Sequence, residues 1–144
     1  TAEEIKIKIG SAFPSNEFDL QSIDVRGLHL LSGLPRSINL KAGDLREAMS
    51  EPLNKIVDAV KRTLERTPPE LAADIVDRGI MLAGGGALVR GISDLLSHET
   101  GIFTHVAEDP LLCVVNGCGL VLDEFKTMRR VLDTPDFARN VIRD

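Results

Sequence analysis

The sequence predicts an α/β fold, and three observations carry that expectation. The first half holds two short strand-like runs followed by a long amphipathic helix. The second half reads as strand, glycine turn, helix, strand, helix, the order of a layered α/β arrangement. Between them, Thr67-Pro68-Pro69-Glu70 forms a sharp break, because a residue before proline is pushed out of the α region.

The elements follow in order. In the opening segment TAEEIKIKIG, Ile5, Ile7 and Ile9 alternate with lysines, which is a half-buried strand pattern. Glu3 and Lys6 nevertheless stand at i and i+3, and Gly10 suits the residue after a helix, so periodicity leans to strand and leaves helix open. Residues 11–21 compose a loop. Residues 22–31 and 35–40 read as strands of a hairpin with one buried face, turning at Ser32-Gly33, with Gly27 marking a bulge. Over 44–66, Leu45, Met49, Leu53, Ile56, Val57, Val60 and Leu64 recur at three- and four-residue steps, the stripe of a helix that covers the hairpin. Pro52 removes a backbone donor and is expected to kink this helix or begin a new one with Ser50 as N-cap. Pro69 at the first helical position suits a short helix to about residue 76. GIMLA (79–83) is a short buried strand, 88–98 a helix closed by Gly101, 102–106 a second strand, and Asp109-Pro110 opens a helix to about Phe125. From Asp133 the sequence reads as a loosely attached polar tail.

Composition narrows the function classes. A chain of 144 residues with 43% hydrophobic residues suffices for one packed core. Net charge is −5 and the basic residues are dispersed, so a nucleic-acid surface, which needs concentrated positive charge, is not expected. The one basic cluster, Lys126, Arg129 and Arg130, is flanked by Asp123, Glu124 and Asp133 and reads as a solvated helix face. Cys113 and Cys118 lie on different faces of a helix and are expected to be buried and reduced; His29, His98 and His105 lack ligand spacing, so no metal site is expected. There is no signal peptide and no apolar run approaching the ~18 residues of a membrane helix, so cytosol is the default. The chain begins at Thr1, without Met, inside a patterned segment, which predicts a piece of a longer polypeptide.

GIMLAGGGALVRGI carries the most chemistry. Glycines between a strand and a helix let the backbone adopt positive φ and approach a ligand closely, and a helix start offers free N–H groups and a positive dipole end. Two standard nucleotide motifs fail. G-x-G-x-x-G would need glycine where Val89 stands, and a Walker A loop from Gly86 would need lysine at Ile92. A tight turn that binds nothing is the competing reading.

With those residues in view, LAGGGALVRGI resembles the adenosine motif of the actin-like ATPase superfamily, which includes actin, sugar kinases and heat-shock chaperone ATPases. The wording is similar to the MreB family of bacterial actins, through TAEEIKIKIGSAFPS, VRGLHLLSGLPRSI, VKRTLERTPPELAADIVDRGIMLAGGGALVRGI and AEDPLLCVVNGCGLVLD, in order from Thr1 to about Val131. The resemblance implies part of an actin-like (ribonuclease H-like) ATPase domain, the C-terminal half of the family's chain. Residues 1–70 would be most of the small upper subdomain of the second domain, and 71–144 the C-terminal part of the large lower subdomain. It implies that 1–9 is a helix, against the alternation. It further implies that Glu3 and Lys6 hold the ribose or base from one side, while Gly84, Gly85 and Gly86 contact adenosine and phosphate from the other.

The cofactor implied is ATP or ADP with Mg²⁺ in the complete parent, with weak or no binding by this chain. The phosphate hairpin and Mg²⁺-binding acidic residues of the family's first domain do not occur here, so no ATPase activity is expected from the chain alone. The resemblance also implies self-association of the parent into filaments that direct rod shape, work with the cell-wall elongation machinery and lie at the inner face of the cytoplasmic membrane. A RodZ-type membrane protein would dock on the lower subdomain, and membrane contact would run through the absent first half. Half of a chaperone- or kinase-type actin-fold ATPase, or a nucleotide-free docking module, are the alternatives. A sheet lacking earlier strands would leave an open edge, so dimerisation is expected.

Overall fold

The computed structural model describes residues 2–132. The opening segment is a helix, α1 (Ala2–Ile9), so the strand suggested by its alternating isoleucines is corrected. Only Ile9 of α1 is buried, and Ile7 is 63% exposed, so the alternation does not mark a strand face. Gly10 ends the helix, its N–H donating to the Lys6 carbonyl at 2.8 Å, where a Cβ would collide with that oxygen.

β1 (Ser22–Leu28) and β2 (Pro35–Lys41) form an antiparallel hairpin in unbroken register from Ser22 opposite Lys41 to Leu28 opposite Pro35. Gly27 pairs with Arg36 in that ladder, so the expected bulge is absent. The strand also ends earlier than expected: Leu30 and Leu31 lie in the loop, 98% and 92% exposed, and Gly33 makes the turn at φ 64°. One face is only half-buried, through Ile23, Val25 and Leu40, while Ile38 is exposed.

α2 (Ala42–Glu65) starts two residues before the expected Asp44, whose carboxylate accepts from the Lys41 N–H at 3.2 Å. It passes through Pro52 as one helix, so no second helix begins there and Ser50 is no N-cap. The Ser50 hydroxyl instead donates to the Glu47 carbonyl at 2.7 Å, in the turn where proline disrupts the backbone ladder. α3 (Pro69–Arg78) begins at Pro69 as read and ends at Gly79 (φ 80°), where a Cβ would overlap the Phe103 carbonyl.

β3 (Ile80–Leu82) and β4 (Thr104–Val106) pair in parallel, with α4 (Ile92–Thr100) as the crossover between them. The helix expected from residue 88 therefore starts later. A 3₁₀ turn (Gly85–Leu88) intervenes, and α4 is entered through left-handed Gly91 (φ 71°), where a Cβ would press on Phe13. Asp109-Pro110 is a turn rather than a helix start. The Asp109 carbonyl accepts from the Leu112 N–H at 2.9 Å, and the helix divides into α5 (Cys113–Asp123) and α6 (Phe125–Leu132), breaking at Glu124. Cys113 is half-buried and Cys118 exposed, both free, which corrects the expectation of a buried pair. The expected tail from Asp133 lies outside the described residues.

The core joins the two halves of the sequence. Leu53 and Val57 of α2 meet Ile92 and Leu96 of α4 around Ala12, and Leu82 and Val89 pack against them. Lys61 Nζ reaches Glu99 Oε2 at 2.6 Å across the same helix pair and holds the Glu99 carboxyl below the usual range. Arg46 clasps Asp19 with two hydrogen bonds, fixing the 11–21 loop to α2.

Candidate nucleotide-binding site

α1 exposes one stripe to the glycine segment. Glu3, Lys6, Ile7 and Gly10 stand at i, i+3, i+4 and i+7, which puts them on a single helix face. They line one wall of a cleft of about 380 Å³, and the opposite wall is Gly85, Gly86, Leu88, Val89 and Arg90. Charge lies at Glu3, Lys6 and Arg90, apolar surface at Ile7, Leu88 and Val89, and bare backbone at the glycines. Among the described ion pairs none joins Glu3 to Lys6, so the two side chains are not spent on each other.

Of the five residues the sequence nominates, four line this cleft: Glu3, Lys6, Gly85 and Gly86. Gly84 does not. Its φ of 83° makes the turn out of β3, and its N–H donates to the Pro110 carbonyl at 2.6 Å. The three glycines thus divide their work. Gly84 meets a conformational demand that only glycine satisfies readily. Gly85 and Gly86 have no positive φ; a Cβ on Gly86 would meet nothing within 4 Å, and one on Gly85 would make ordinary contact with Leu111 at 3.7 Å. Packing does not require them to be glycine, and what their missing side chains leave is open cleft.

The N-terminus of α4 does not line the cleft, so the expectation of a long helix dipole aimed there is corrected. The geometry of the 3₁₀ turn does leave the N–H groups of Gly85 and Gly86 without an intrahelical partner. Ile7, Gly10, Leu88, Val89 and Arg90 are lining residues that the sequence reading missed. Ile7 and Gly10 were findable from the helical stripe once α1 is taken as a helix; the other three lie just past the glycines and Ala87 in the chain.

The family model described as MreB/Mbl protein matches residues 1–130. The chain belongs to the MreB/Mbl family. It is 52% identical over 123 residues to the cell shape-determining protein MreB of Escherichia coli (strain K12), covering 85% of this chain and 35% of that one. It is 47% identical over 123 residues to the cell shape-determining protein Mbl of Bacillus subtilis (strain 168), covering 85% and 36%. The chain thus spans about a third of the length of these MreB/Mbl relatives. The fold is similar to MreB5 of Spiroplasma citri bound to ADP, with a TM-score of 0.80 and 34% identity over 93% of this chain and 40% of that chain. It is equally similar to MreB 5 of Spiroplasma citri bound to AMPPNP, with a TM-score of 0.81 and 35% identity over 90% and 38%. The fold is therefore a partial actin-like α/β domain, and the chaperone- and kinase-type alternatives give way to an MreB-type protein. Among the described residues no helix is long and apolar enough to cross a membrane, and no group of three or more His, Cys, Asp or Glu could hold a metal ion.

Proposed function

We propose that this chain supplies one side of the nucleotide clamp of an MreB-type cytoskeletal protein. The observation that carries the proposal is the facing of Glu3 and Lys6 on α1 against Gly85 and Gly86 on the glycine turn, across one cleft. Similar chains of known structure hold ADP and AMPPNP, which supports a purine nucleotide as the occupant. The chemistry agrees. A carboxylate accepts from ribose hydroxyls or an exocyclic amine, an ammonium donates to ring nitrogens or phosphate, and Ile7, Leu88 and Val89 give a flat base apolar surface.

In the parent protein, residues 1–70 form most of a small upper subdomain and 71–144 the end of a larger lower one, with the clamp between them. The parent hydrolyses ATP with Mg²⁺ held by its other domain, and this chain alone does not. It assembles into filaments at the inner face of the cytoplasmic membrane and directs rod shape with the cell-wall elongation machinery and a RodZ-type membrane partner on its lower subdomain.

The test is titration of the ¹⁵N-labelled chain with ADP, beside Gly85→Asp, followed by amide chemical shifts, which report weak binding and its place. Shifts are expected at residues 3–10 and 85–90, and their loss in Gly85→Asp, whose carboxylate repels phosphate. Saturable shifts centred elsewhere, or shifts unchanged by Gly85→Asp, overturn the proposal that these residues form a clamp wall.

A further inference from the structure

We propose that Arg90 is a positioning residue for the clamp: it fixes the direction of α1, and so the placement of Glu3 and Lys6, against the glycine turn. The inference rests on the nucleotide reading of the cleft.

α1 is poorly anchored by packing. An eight-residue helix is too short to be stable in isolation, and its single buried residue, Ile9, sits at its C-terminal end. Of the cleft residues on α1, Glu3 lies at the other end, while Lys6 and Ile7 stand in the C-terminal half. Glu3 is about 7 Å along the helix axis from Lys8, so tilting α1 by about 10° at its base displaces Glu3 by roughly 1 Å.

Arg90 grips that base. Its Nη1 donates to the Lys8 carbonyl at 2.7 Å, in the last turn of α1, where carbonyls lack intrahelical partners and a cation meets the negative end of the helix dipole. The same nitrogen lies 3.5 Å from Gln21 Oε1, and the guanidinium carbon stands 5.2 Å from the Phe18 ring centroid. The backbone repeats the grip, since the Ala12 N–H donates to the Arg90 carbonyl at 2.7 Å and Ser11 bridges Arg90 in parallel. One residue, two positions past the 3₁₀ turn, thereby ties the glycine wall to the helix wall and to the loop leading into β1. Arginine suits this place because one planar group bonds a carbonyl while lying over a ring, which a lysine ammonium does less well.

The test measures amide hydrogen exchange and ADP affinity in the 144-residue chain and in Arg90→Met, Arg90→Lys and Phe18→Leu, far below their melting temperatures. Arg90→Met is expected to raise exchange in α1 while α4 stays protected, and to weaken ADP about tenfold, the order expected for losing a charge-assisted hydrogen bond. Arg90→Lys recovers part of both effects. Phe18→Leu changes no residue lining the cleft, yet shifts both in the same direction. Unchanged α1 exchange in Arg90→Met overturns the inference, whatever happens to ADP. Weakened ADP in Arg90→Met with no effect of Phe18→Leu also overturns it, since Arg90 would then be touching the ligand. If Arg90→Met fails to fold, Arg90→Lys and Phe18→Leu decide alone. Altered α1 exchange in a chain whose unaltered form binds ADP away from the cleft supports the mechanical inference and refutes the nucleotide reading on which it was built.

Discussion

Gly84 and Gly86 stand two positions apart in a run of identical residues, yet substituting them should move stability in opposite directions. Gly84 has φ 83° and ψ 175°, a region nearly closed to any residue with a Cβ. Forcing alanine there costs about 1–3 kcal/mol of backbone strain. The loss of unfolded-chain entropy offsets roughly 0.4–1 kcal/mol of that, so the net destabilisation is on the order of 1–2 kcal/mol. For a chain of this size each kcal/mol moves Tm by about 3–4 °C, which puts Gly84→Ala roughly 3–8 °C below the unaltered chain. Gly86 has no positive φ and nothing within 4 Å of an added Cβ, so only the entropy gain remains and Gly86→Ala should melt about 1–4 °C higher. The larger Gly86→Leu should weaken ADP binding by obstructing the cleft wall. Circular-dichroism melts and the amide-shift titration read the two effects separately. A Gly86→Ala chain that melts lower would show that the fold itself demands glycine there. Full-strength ADP binding by Gly86→Leu would show that Gly86 does not face the ligand.

Three further outcomes can be measured. Leu96 is 1% exposed at the centre of the α2–α4 contact, so Leu96→Ala should cost about 2–5 kcal/mol in denaturant unfolding; a loss under about 1 kcal/mol would mean that α4 is not packed as described. Hydrogen bonds from Arg46 hold Asp19 below the usual carboxylate range, so its stabilising contribution is present above the ordinary aspartate value and lost as pH falls through about 4 and below. Asp19→Asn should therefore lose stability near neutral pH and show a shallower acid fall in Tm, and an unaltered acid profile would dismiss the clasp. Each strand of the β3–β4 pair has one described neighbour, and Phe103, Val114, Val115, Leu120 and Leu122 are exposed, so sedimentation should show a mass that rises with concentration; a constant monomer mass would refute this.

What could be read from the sequence depended on how much independent signal each segment carried. The apolar stripe of α2 spans many turns, and Leu53 and Val57 of that stripe are in the core. The opening segment has three isoleucines in eight residues, a pattern that a strand and a short helix both accommodate. Periodicity leaned to strand there and left helix open, and the family resemblance supplied the helix. Pro52 shows a different limit, since no new helix begins there: α2 runs on through the proline, with buried Ala42 before it and buried Leu53 and Val57 after it. The glycine turn was legible as a cleft wall in outline. Its division into a conformational Gly84 and an open Gly85-Gly86 was not, because φ is not written in a run of three identical letters. Hydropathy misled at Cys118, which is exposed on a helix where Val114, Val115, Leu120 and Leu122 are exposed as well.

The arrangement also explains why the clamp and the core should respond differently to substitution. The core is carried by α2 and α4, with Ala12 as the loop's contribution, and none of its buried residues lines the cleft. The cleft is framed instead by a short helix anchored at one end and a 3₁₀ turn, joined through Arg90 and the backbone of Ser11 and Ala12. Few buried apolar contacts and a handful of polar clasps place α1 among the segments that open most readily. A loss such as Leu96→Ala lowers the stability of the whole chain while the folded fraction keeps its cleft geometry. On the proposed nucleotide reading, loosening the clasp at Arg90 should leave the core intact and displace α1, so affinity should fall without a matching fall in global stability. That separation makes nucleotide affinity in the folded state, rather than melting temperature, the quantity that reports on the site.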